Sequence, residues 1–145
     1  MLTVSTDDRL LDVERIHRWL SDDAYWSRGR SQATVERSLR HSVNIGAYVE
    51  TAEGAEQVGL LRIVTDRVTF AWVCDVYVDP AHRGEGIGRL LLAEADTVLS
   101  RMGVNRALLA TADAHGLYAD FGFGPLEDTS RWMARSYADP QTDQG

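Results

Sequence analysis

Residues 76–89 read VYVDPAHRGEGIGR and predict how the chain is organised around a single turn. The β-branched and aromatic residues of a strand stop at Pro80, which has no N–H with which to continue strand pairing. Glycines follow at positions 84, 86 and 88, and a helix is expected over residues 86–102. Apolar residues recur at helical spacing along its inner face, at Ile87, Leu91, Ala95, Val98 and Met102. The stretch therefore predicts a strand, a glycine-rich turn and a helix in immediate succession.

The glycine-rich turn has the composition of a phosphate site. Glycine adopts turns closed to other residues and lets a ligand approach the main chain. The free N–H groups at the start of a helix, together with the helix dipole, favour a bound anion. Arg83 and Arg89 flank the turn and can pair with phosphate oxygens. The alternative is a tight structural turn that binds nothing.

Two common nucleotide-binding loops do not fit this turn. The nucleoside-triphosphate loop ends in Gly-Lys-Ser/Thr, whereas this chain has no lysine and all 15 of its basic residues are arginine. The dinucleotide fingerprint is G-x-G-x-x-G, whereas the spacing here is G-x-G-x-G. The ligand is therefore expected to be a different phosphate-bearing molecule.

Composition predicts a soluble protein with one domain. The chain has 145 residues, of which 44% are hydrophobic and 26% charged. We expect one domain over residues 1–136 and a flexible tail over residues 137–145. Cys74 is the only cysteine, so no intrachain disulfide can form and a reducing, cytoplasmic setting is expected. A net charge of −7, without a signal peptide or a long apolar run, argues against nucleic acid and membrane partners.

Patterning along the chain predicts a mixed sheet. The first half predicts antiparallel hairpins, with strands over residues 2–5, 43–51, 58–64 and 68–78, helices over 8–20 and 32–41, and a loop over 21–31. The second half predicts a parallel βαβ unit, with a strand over residues 107–112, a helix over 114–121 and closing strands over 123–126 and 132–135. The fold class is α/β (mixed α+β): a mostly antiparallel mixed sheet with one parallel βαβ unit and helices on both faces.

Two blocks of the sequence resemble the GNAT acetyltransferase superfamily. V-x-V-D-P followed by R-G-x-G-I-G and an amphipathic helix is similar to the family's motif A, and residues 76–89 carry that pattern. Residues 117–123 read LYADFGF and resemble the later L-Y-x-x-x-G-F signature. The blocks stand in the family's order with one helix and one strand between them. The whole sequence resembles small bacterial members without an assigned acceptor.

The resemblance implies acetyl-CoA as co-substrate and no metal. In the family, pantetheine pairs with the main chain of the long strand, here at Val76, Tyr77 and Val78. The pyrophosphate lies on the glycine-rich turn, whose implied ligands are Arg83, Gly84, Glu85, Gly86, Ile87, Gly88 and Arg89. Thr111 stands where many members carry an asparagine that contacts coenzyme A. Tyr118 matches the tyrosine that protonates the departing thiolate, and the alternative is an aromatic side chain that only packs.

Asp75 interrupts the apolar run of residues 70–78. An unpaired carboxylate in such a strand is costly, so it is expected to be paired, protonated or functional. One hypothesis is that Asp75 binds or deprotonates the acceptor amine. The other is a structural ion pair with Arg62 on the adjacent strand. The neighbouring Cys74 is interpreted as a small buried residue and not as a nucleophile.

The acceptor site implied by the family lies at the loop between the first two helices. Residues 24–31 read AYWSRGRS, and two aromatics beside two arginines suit an anionic or aromatic acceptor. The expected acceptor-binding residues are Tyr25, Trp26, Arg28, Arg30, Trp72, Asp75 and His115. The alternatives are that Tyr25 and Trp26 plug the corner between the helices, and that His115 only covers the start of a helix.

The function expected from these residues is N-acetyl transfer to a primary amine of a small molecule or peptide, by direct attack in a ternary complex. A coenzyme A-binding regulatory module without catalysis is the alternative from another class. A toxin acting on aminoacyl-tRNA would need a basic face, which the acidic composition disfavours. A homodimer is possible, because dimers are common in the family.

Overall fold

The computed structural model describes residues 1–137, through which a five-stranded sheet runs in the order β1-β2-β3-β4-β5. The strands are β1 (Leu2–Ser5), β2 (Val43–Thr51), β3 (Gly54–Thr65), β4 (Phe70–Val78) and β5 (Arg106–Leu108). The helices are α1 (Val13–Arg18), α2 (Gln32–Arg40), α3 (Ile87–Met102) and α4 (His115–Ala119). β1 to β4 pair antiparallel and β4 pairs parallel with β5. The mixed sheet with one parallel unit is therefore confirmed.

The hairpin between β3 and β4 begins its second strand later than expected. The Asp66 carboxylate accepts the N–H groups of Val68, Thr69 and Phe70, at 2.9, 2.7 and 3.1 Å. These N–H groups are consequently used in the turn, and β4 starts at Phe70 and not at residue 68. β3 begins earlier than the predicted residue 58, because Thr51 and Gly54 already pair at the other hairpin.

The helix predicted over residues 8–20 is wrong as a single element. It is divided into a 3-10 turn (Asp8–Leu10), α1 and a π-helical turn (Trp19–Asp23). The reason is two successive caps: Asp7 accepts from the Arg9 N–H and Asp12 accepts from the Arg15 N–H. The main chain of Asp12 also donates to Gln57 Oε1 at 2.8 Å, which fixes the start of α1 to β3.

Helices cover both faces of the sheet. On one face, α3 packs against β2, β3 and β4 through Ile45, Val58, Leu61, Ile63, Val73, Ile87 and Leu91. On the other face, α1 and α2 pack against the sheet through Ile16, Trp19, Leu20, Val35, Leu39, Leu60 and Tyr77. No helix within residues 1–137 is both long enough and apolar enough to cross a membrane.

The end of the chain departs from the predicted strands. β5 ends at Leu108 and not at residue 112, because the parallel pairing with β4 stops at Trp72 and Leu108. α4 is also shorter than predicted, and residues 123–126 and 132–135 form no strand in the described part of the chain. Pro125 lacks an N–H for pairing, and a 3-10 turn (Thr129–Arg131) follows it. The predicted tail falls largely on residues 138–145, which lie outside the described residues.

Gly59 sets how closely α3 approaches β3. A Cβ atom at this position would lie 3.0 Å from Ile87 Cγ2 and 3.2 Å from Leu91 Cδ1. The absence of a side chain therefore lets the first turn of α3 rest directly on the strand, and the glycine-rich turn that precedes α3 is positioned by the same contact.

We predict that Gly59→Val destabilises the fold by about 1–3 kcal/mol, because its methyl groups overpack this contact. Denaturant unfolding followed by circular dichroism measures the change. Gly124→Val is the matched control, since a Cβ atom there meets nothing within 4 Å. Equal stability of the two variants would contradict the close approach of α3.

Candidate functional site

A cleft opens where β4 and β5 separate. The parallel pairing joins Phe70 to Arg106, Ala71 to Ala107 and Trp72 to Leu108. β4 continues to Val78, and β3 pairs with its other edge. From residue 73 onward the edge of β4 that faces β5 has no strand partner among the described residues. Such an edge can pair with an extended ligand as if with another strand.

A β-bulge at Asp75 changes which side chains of β4 face the cleft. Between the pairs Leu60–Tyr77 and Arg62–Cys74, two residues of β4 oppose Leu61. Asp75 has a φ of 49°, in the left-handed region that aspartate tolerates better than most residues. The core-facing positions are consequently 71 and 73 before the bulge and 76 and 78 after it. Asp75 therefore lies on the face away from α3, where it contacts Trp26, Arg30 and Arg62.

The Asp75 carboxylate is the centre of a closed set of contacts. Its exposed fraction is 4%. Arg62 Nε and Arg30 Nη1 lie 2.8 and 2.9 Å from Oδ2, and the Trp26 indole donates to Oδ1 at 2.9 Å. Burial alone would raise the pKa of Asp75, but the two guanidinium groups and these hydrogen bonds hold it below its ordinary value. The ion pair with Arg62 weighed from the sequence is therefore present, and Arg30 joins it.

The loop that supplies Trp26 and Arg30 is held by its own hydrogen bonds. Buried Ser27 donates from Oγ to the carbonyl of Leu20 at 2.7 Å. Gly29 has a φ of 82° and donates its N–H to Ser21 O at 3.0 Å. His17 Nε2 lies 3.0 Å from the Arg30 carbonyl oxygen. The aromatic and basic side chains of the loop are thus presented by an ordered backbone.

Most of the expected acceptor residues meet in a cavity of about 320 Å³ beside the cleft. Its lining includes Tyr25, Trp26, Arg30, Arg62, Trp72, Cys74, Asp75, Val76, Thr111, Asp113 and Tyr118. Arg28 is not part of this lining. His115 instead lines a larger groove, of about 1280 Å³, bounded by α3, β5 and the chain after α4. The structure does not bring His115 and Arg28 to the other expected acceptor residues.

Tyr25 and Trp26 are not a plug between the helices. Their exposed fractions are 55% and 42%, and their rings meet edge to face at 5.0 Å. The corner is filled instead by Trp19, Leu20 and Ala24, which are buried. Two exposed aromatic rings at a cavity mouth can contact a ligand.

The glycine-rich turn presents unpaired N–H groups. Gly84 and Gly86 have φ values of 83° and 82°, and a Cβ atom at either position would meet nothing within 4 Å. Gly86 caps α3, and the first intrahelical bond of α3 runs from the Leu90 N–H to the Gly86 carbonyl. Within residues 1–137 no acceptor is found for the N–H groups of residues 84–89. The open space and the free donors fit a phosphate group.

Both arginines that flank the turn form surface ion pairs. Arg83 lies 3.4 Å from Asp23 and donates from Nε to the Val78 carbonyl at 3.1 Å. Arg89 lies 2.7 Å from Asp120. All four side chains of these pairs are more than half exposed, and exposed pairs contribute little to stability. Their guanidinium groups can therefore exchange a carboxylate for a phosphate at small cost.

Tyr118 lies at the junction of the cavity and the groove and is buried. Burial raises the pKa of its hydroxyl, and the negative charge of Asp113 and the neighbouring Tyr25 raise it further. The hydroxyl therefore keeps its proton at neutral pH. Its ring packs edge to face on Phe123, with centroids 6.2 Å apart, so the packing and functional interpretations are compatible.

Three other side chains near the cleft occupy defined positions. Tyr77 turns away from it, donates to Asp23 and stacks with Trp19 at 5.3 Å, so only its main chain remains for a ligand in the cleft. Thr111 Oγ1 accepts from the Ala114 N–H at 3.1 Å and shapes the turn before α4. Burial raises the pKa of the half-buried Cys74 thiol to about 11, which disfavours a thiolate nucleophile.

Sequence reasoning missed Asp113. It follows the end of β5 and lines the cavity that also holds Tyr118. Its position after a parallel strand was the available signal, because α/β proteins bind their ligands beyond the carboxyl ends of such strands.

We predict that Asp75→Ala destabilises the protein by about 3–5 kcal/mol, because it leaves two half-buried guanidinium groups without their anion. The pKa of Asp75 is lowered on folding, so its contribution is present above the ordinary value of 3.8 and is lost as the pH falls through the folded value. Denaturant unfolding of wild type and variant should therefore converge in strong acid. The exposed Asp96→Ala is the control, and equal losses in both variants near pH 7 would contradict the role of Asp75.

Comparisons with known proteins agree with this geometry. The model of the acetyltransferase (GNAT) family matches residues 13–123. A protein of Gibberella zeae named as a proposed acetyltransferase is 36% identical over 131 residues, which span 79% of this chain and 74% of the relative. A crystal structure from Xanthomonas campestris pv. campestris, described as a proposed acetyltransferase belonging to the GNAT family, is 39% identical with a TM-score of 0.87 and 94% of both chains covered.

A more distant structural relative contains the coenzyme. Rv2747 from Mycobacterium tuberculosis, solved in complex with CoA and NLQ, has a TM-score of 0.68 at 22% identity, with 86% of this chain and 73% of Rv2747 covered. At this identity the likeness shows the fold alone. The matched family model, the Gibberella zeae relative and the shared fold together show that the chain belongs to the acetyltransferase (GNAT) family.

Proposed function

We propose that this chain transfers the acetyl group of acetyl-CoA to a primary amine of a small molecule or peptide, by direct attack in a ternary complex. The observation that carries the proposal is the continuity of the site along β4. The unpaired edge of β4 has the phosphate-type turn at its end and the cavity with Tyr118 beside its middle. A long ligand with a pyrophosphate at one end and a thioester at the other matches that order.

The residues proposed to hold acetyl-CoA supply mainly main-chain groups. The N–H groups of residues 84–89, with Arg83 and Arg89, receive the pyrophosphate. The free edge of β4 at Val76 and Val78 pairs with the pantetheine arm. When bound, acetyl-CoA supplies an activated acyl group as a thioester. The open space at the turn and the free strand edge both fit this ligand, and the CoA complex of a structural relative supports it.

The proposed role of Tyr118 is to protonate the sulfur of the leaving group. An acceptor ammonium must lose one proton before its nitrogen can attack and a second after the C–N bond has formed. The departing sulfur needs one proton. Tyr118 keeps its proton at neutral pH and lines the cavity, so it can give that proton to the sulfur and recover one from the nitrogen.

The acceptor side combines cations with aromatic rings. Arg30 and Arg62 share a single carboxylate in Asp75, which leaves one surplus positive charge and several free N–H donors in that triad. Tyr25, Trp26 and Trp72 line the same cavity. We infer that an acceptor with an aromatic or anionic portion is favoured. The cytoplasmic location, the bacterial origin and the homodimer stay predictions.

We predict that Gly86→Ala weakens acetyl-CoA binding by about tenfold or more, because it strains the turn that aims the N–H groups. Isothermal titration with acetyl-CoA measures the dissociation constant. Gly103→Ala is a matched control at the opposite end of α3, where φ is 74° and the space is equally open. Equal loss of affinity in both variants would attribute the effect to strain in α3 and would contradict a phosphate site at Gly86.

We predict that Tyr118→Phe lowers kcat by about 100-fold, since it removes a general acid, and leaves the affinity for acetyl-CoA nearly unchanged. The measurement is steady-state release of free thiol with a panel of amines. Tyr137→Phe, which removes an exposed phenol outside the cavity, is the control.

The same assay separates the proposal from a regulatory module. Wild-type protein that binds acetyl-CoA tightly, yet acetylates no amine and releases no thiol, would overturn the enzymatic function. Unchanged kcat in Tyr118→Phe would overturn only the role of that hydroxyl.

A further inference from the structure

The charged side chains of the acceptor cavity fall into two groups. Arg30, Arg62 and Asp75 form one closed group, in which both arginines bind the carboxylate and Trp26 occupies its second oxygen. The fourth charged residue of the lining, Asp113, lies outside that group. Asp75, for which the sequence left open a role at the acceptor amine or a structural ion pair, is therefore already engaged, whereas a second carboxylate lines the same cavity.

Asp113 is available to a ligand. The residue is exposed, and no hydrogen bond or ion pair to its carboxylate exists among residues 1–137. It lies in the turn between β5 and α4, which the bond from the Ala114 N–H to Thr111 Oγ1 holds in place. An exposed carboxylate on an ordered turn can accept a cation without first giving up a partner.

Asp113 and Tyr118 line the same cavity. After burial, the negative charge of Asp113 is the largest cause that raises the pKa of the Tyr118 hydroxyl. A cation bound at Asp113 would therefore lie near the group proposed to protonate the departing sulfur.

We propose that Asp113, and not Asp75, binds the ammonium group of the acceptor and directs it toward the transfer site. This inference rests on the proposed function and specifies its substrate class, an alkyl amine that is cationic at neutral pH. Asp75 serves as the anchor that holds Trp26 and Arg30 against the sheet.

Asp113 acts before the C–N bond forms, by positioning the ammonium. The ammonium binds to the carboxylate, and water then takes one proton from it to leave a neutral amine. The nitrogen lone pair forms the C–N bond to the thioester carbon, and the C–S bond breaks with its electrons going to sulfur. The nitrogen loses its second proton and the sulfur gains one through Tyr118. The sum is an amide, a thiol and one proton released to water.

The experiment compares an acceptor that carries a charge at neutral pH with one that does not. Phenethylamine, an alkyl amine, is a cation near pH 7, whereas aniline, an aryl amine, is neutral, and each carries one phenyl ring and one primary amine. Asp113→Asn should raise the KM for phenethylamine about tenfold or more, through loss of the charge-assisted contact, and change the KM for aniline less than about twofold. Asp113→Glu should recover part of the loss.

Two controls separate this effect from general charge and from folding. Glu53→Gln removes one negative charge from the β2–β3 hairpin tip, far along the chain from the cavity, and should change neither KM. Acetyl-CoA affinity and the unfolding midpoint of Asp113→Asn should equal those of wild type. A parallel increase of KM for both amines, or unchanged KM for phenethylamine, would overturn the proposal.

A binding measurement tests the inference independently of turnover. Protein labelled with ¹³C at aspartate carboxyl carbons, saturated with CoA and titrated with phenethylamine, should shift the Asp113 carboxyl resonance and leave that of Asp75 in place. A shift at Asp75 with none at Asp113 would overturn the inference. A shift at Asp113 in a protein that acetylates no amine would keep the amine site and overturn the catalytic function instead.

Discussion

The buried carboxylate of Asp75 is the contact on which the geometry of the cavity depends. It is held 2.8 Å from Arg62 on β3 and 2.9 Å from Arg30 in the loop after α1, so one side chain joins the sheet to the loop. Burial destabilises such a charge by removing its hydration, and two guanidinium groups with an indole N–H offset that loss. The β-bulge makes the arrangement possible, because it turns Asp75 toward the loop and away from α3.

Because Asp75 anchors the loop, the two carboxylates that line the cavity, Asp75 and Asp113, differ in their freedom to bind a ligand. A carboxylate that already accepts three donors is poorly suited to receive a proton or a ligand, since either would break the contacts that place the loop. A carboxylate without such contacts can receive a proton or a ligand, and Asp113 is one among the described residues. Asp113 follows a strand that ends early, in the position where β4 and β5 have already separated.

Local chemistry explains which features the sequence could predict. The glycine-rich turn and the start of α3 follow from residue types that admit few alternatives, and the antiparallel hairpins follow from alternation. The divided helix after β1 does not, because two competing caps at Asp7 and Asp12 override a continuous helical period. Likewise, β5 is shortened by the divergence of its partner, which is a property of the tertiary structure. The candidate site follows the same division: Tyr118 was recognisable from its motif, whereas Asp113 required knowledge of which side chains meet across the cleft.

The permanently charged cations that surround the cleft are all arginines, since the chain contains no lysine. A guanidinium keeps its charge at neutral pH and offers no lone pair to an acyl donor. The arginines that frame the site would therefore be inert toward the thioester of an acetyl-CoA bound as proposed. If the site holds an activated acyl group as proposed, no lysine amine of this chain can compete with the acceptor for it.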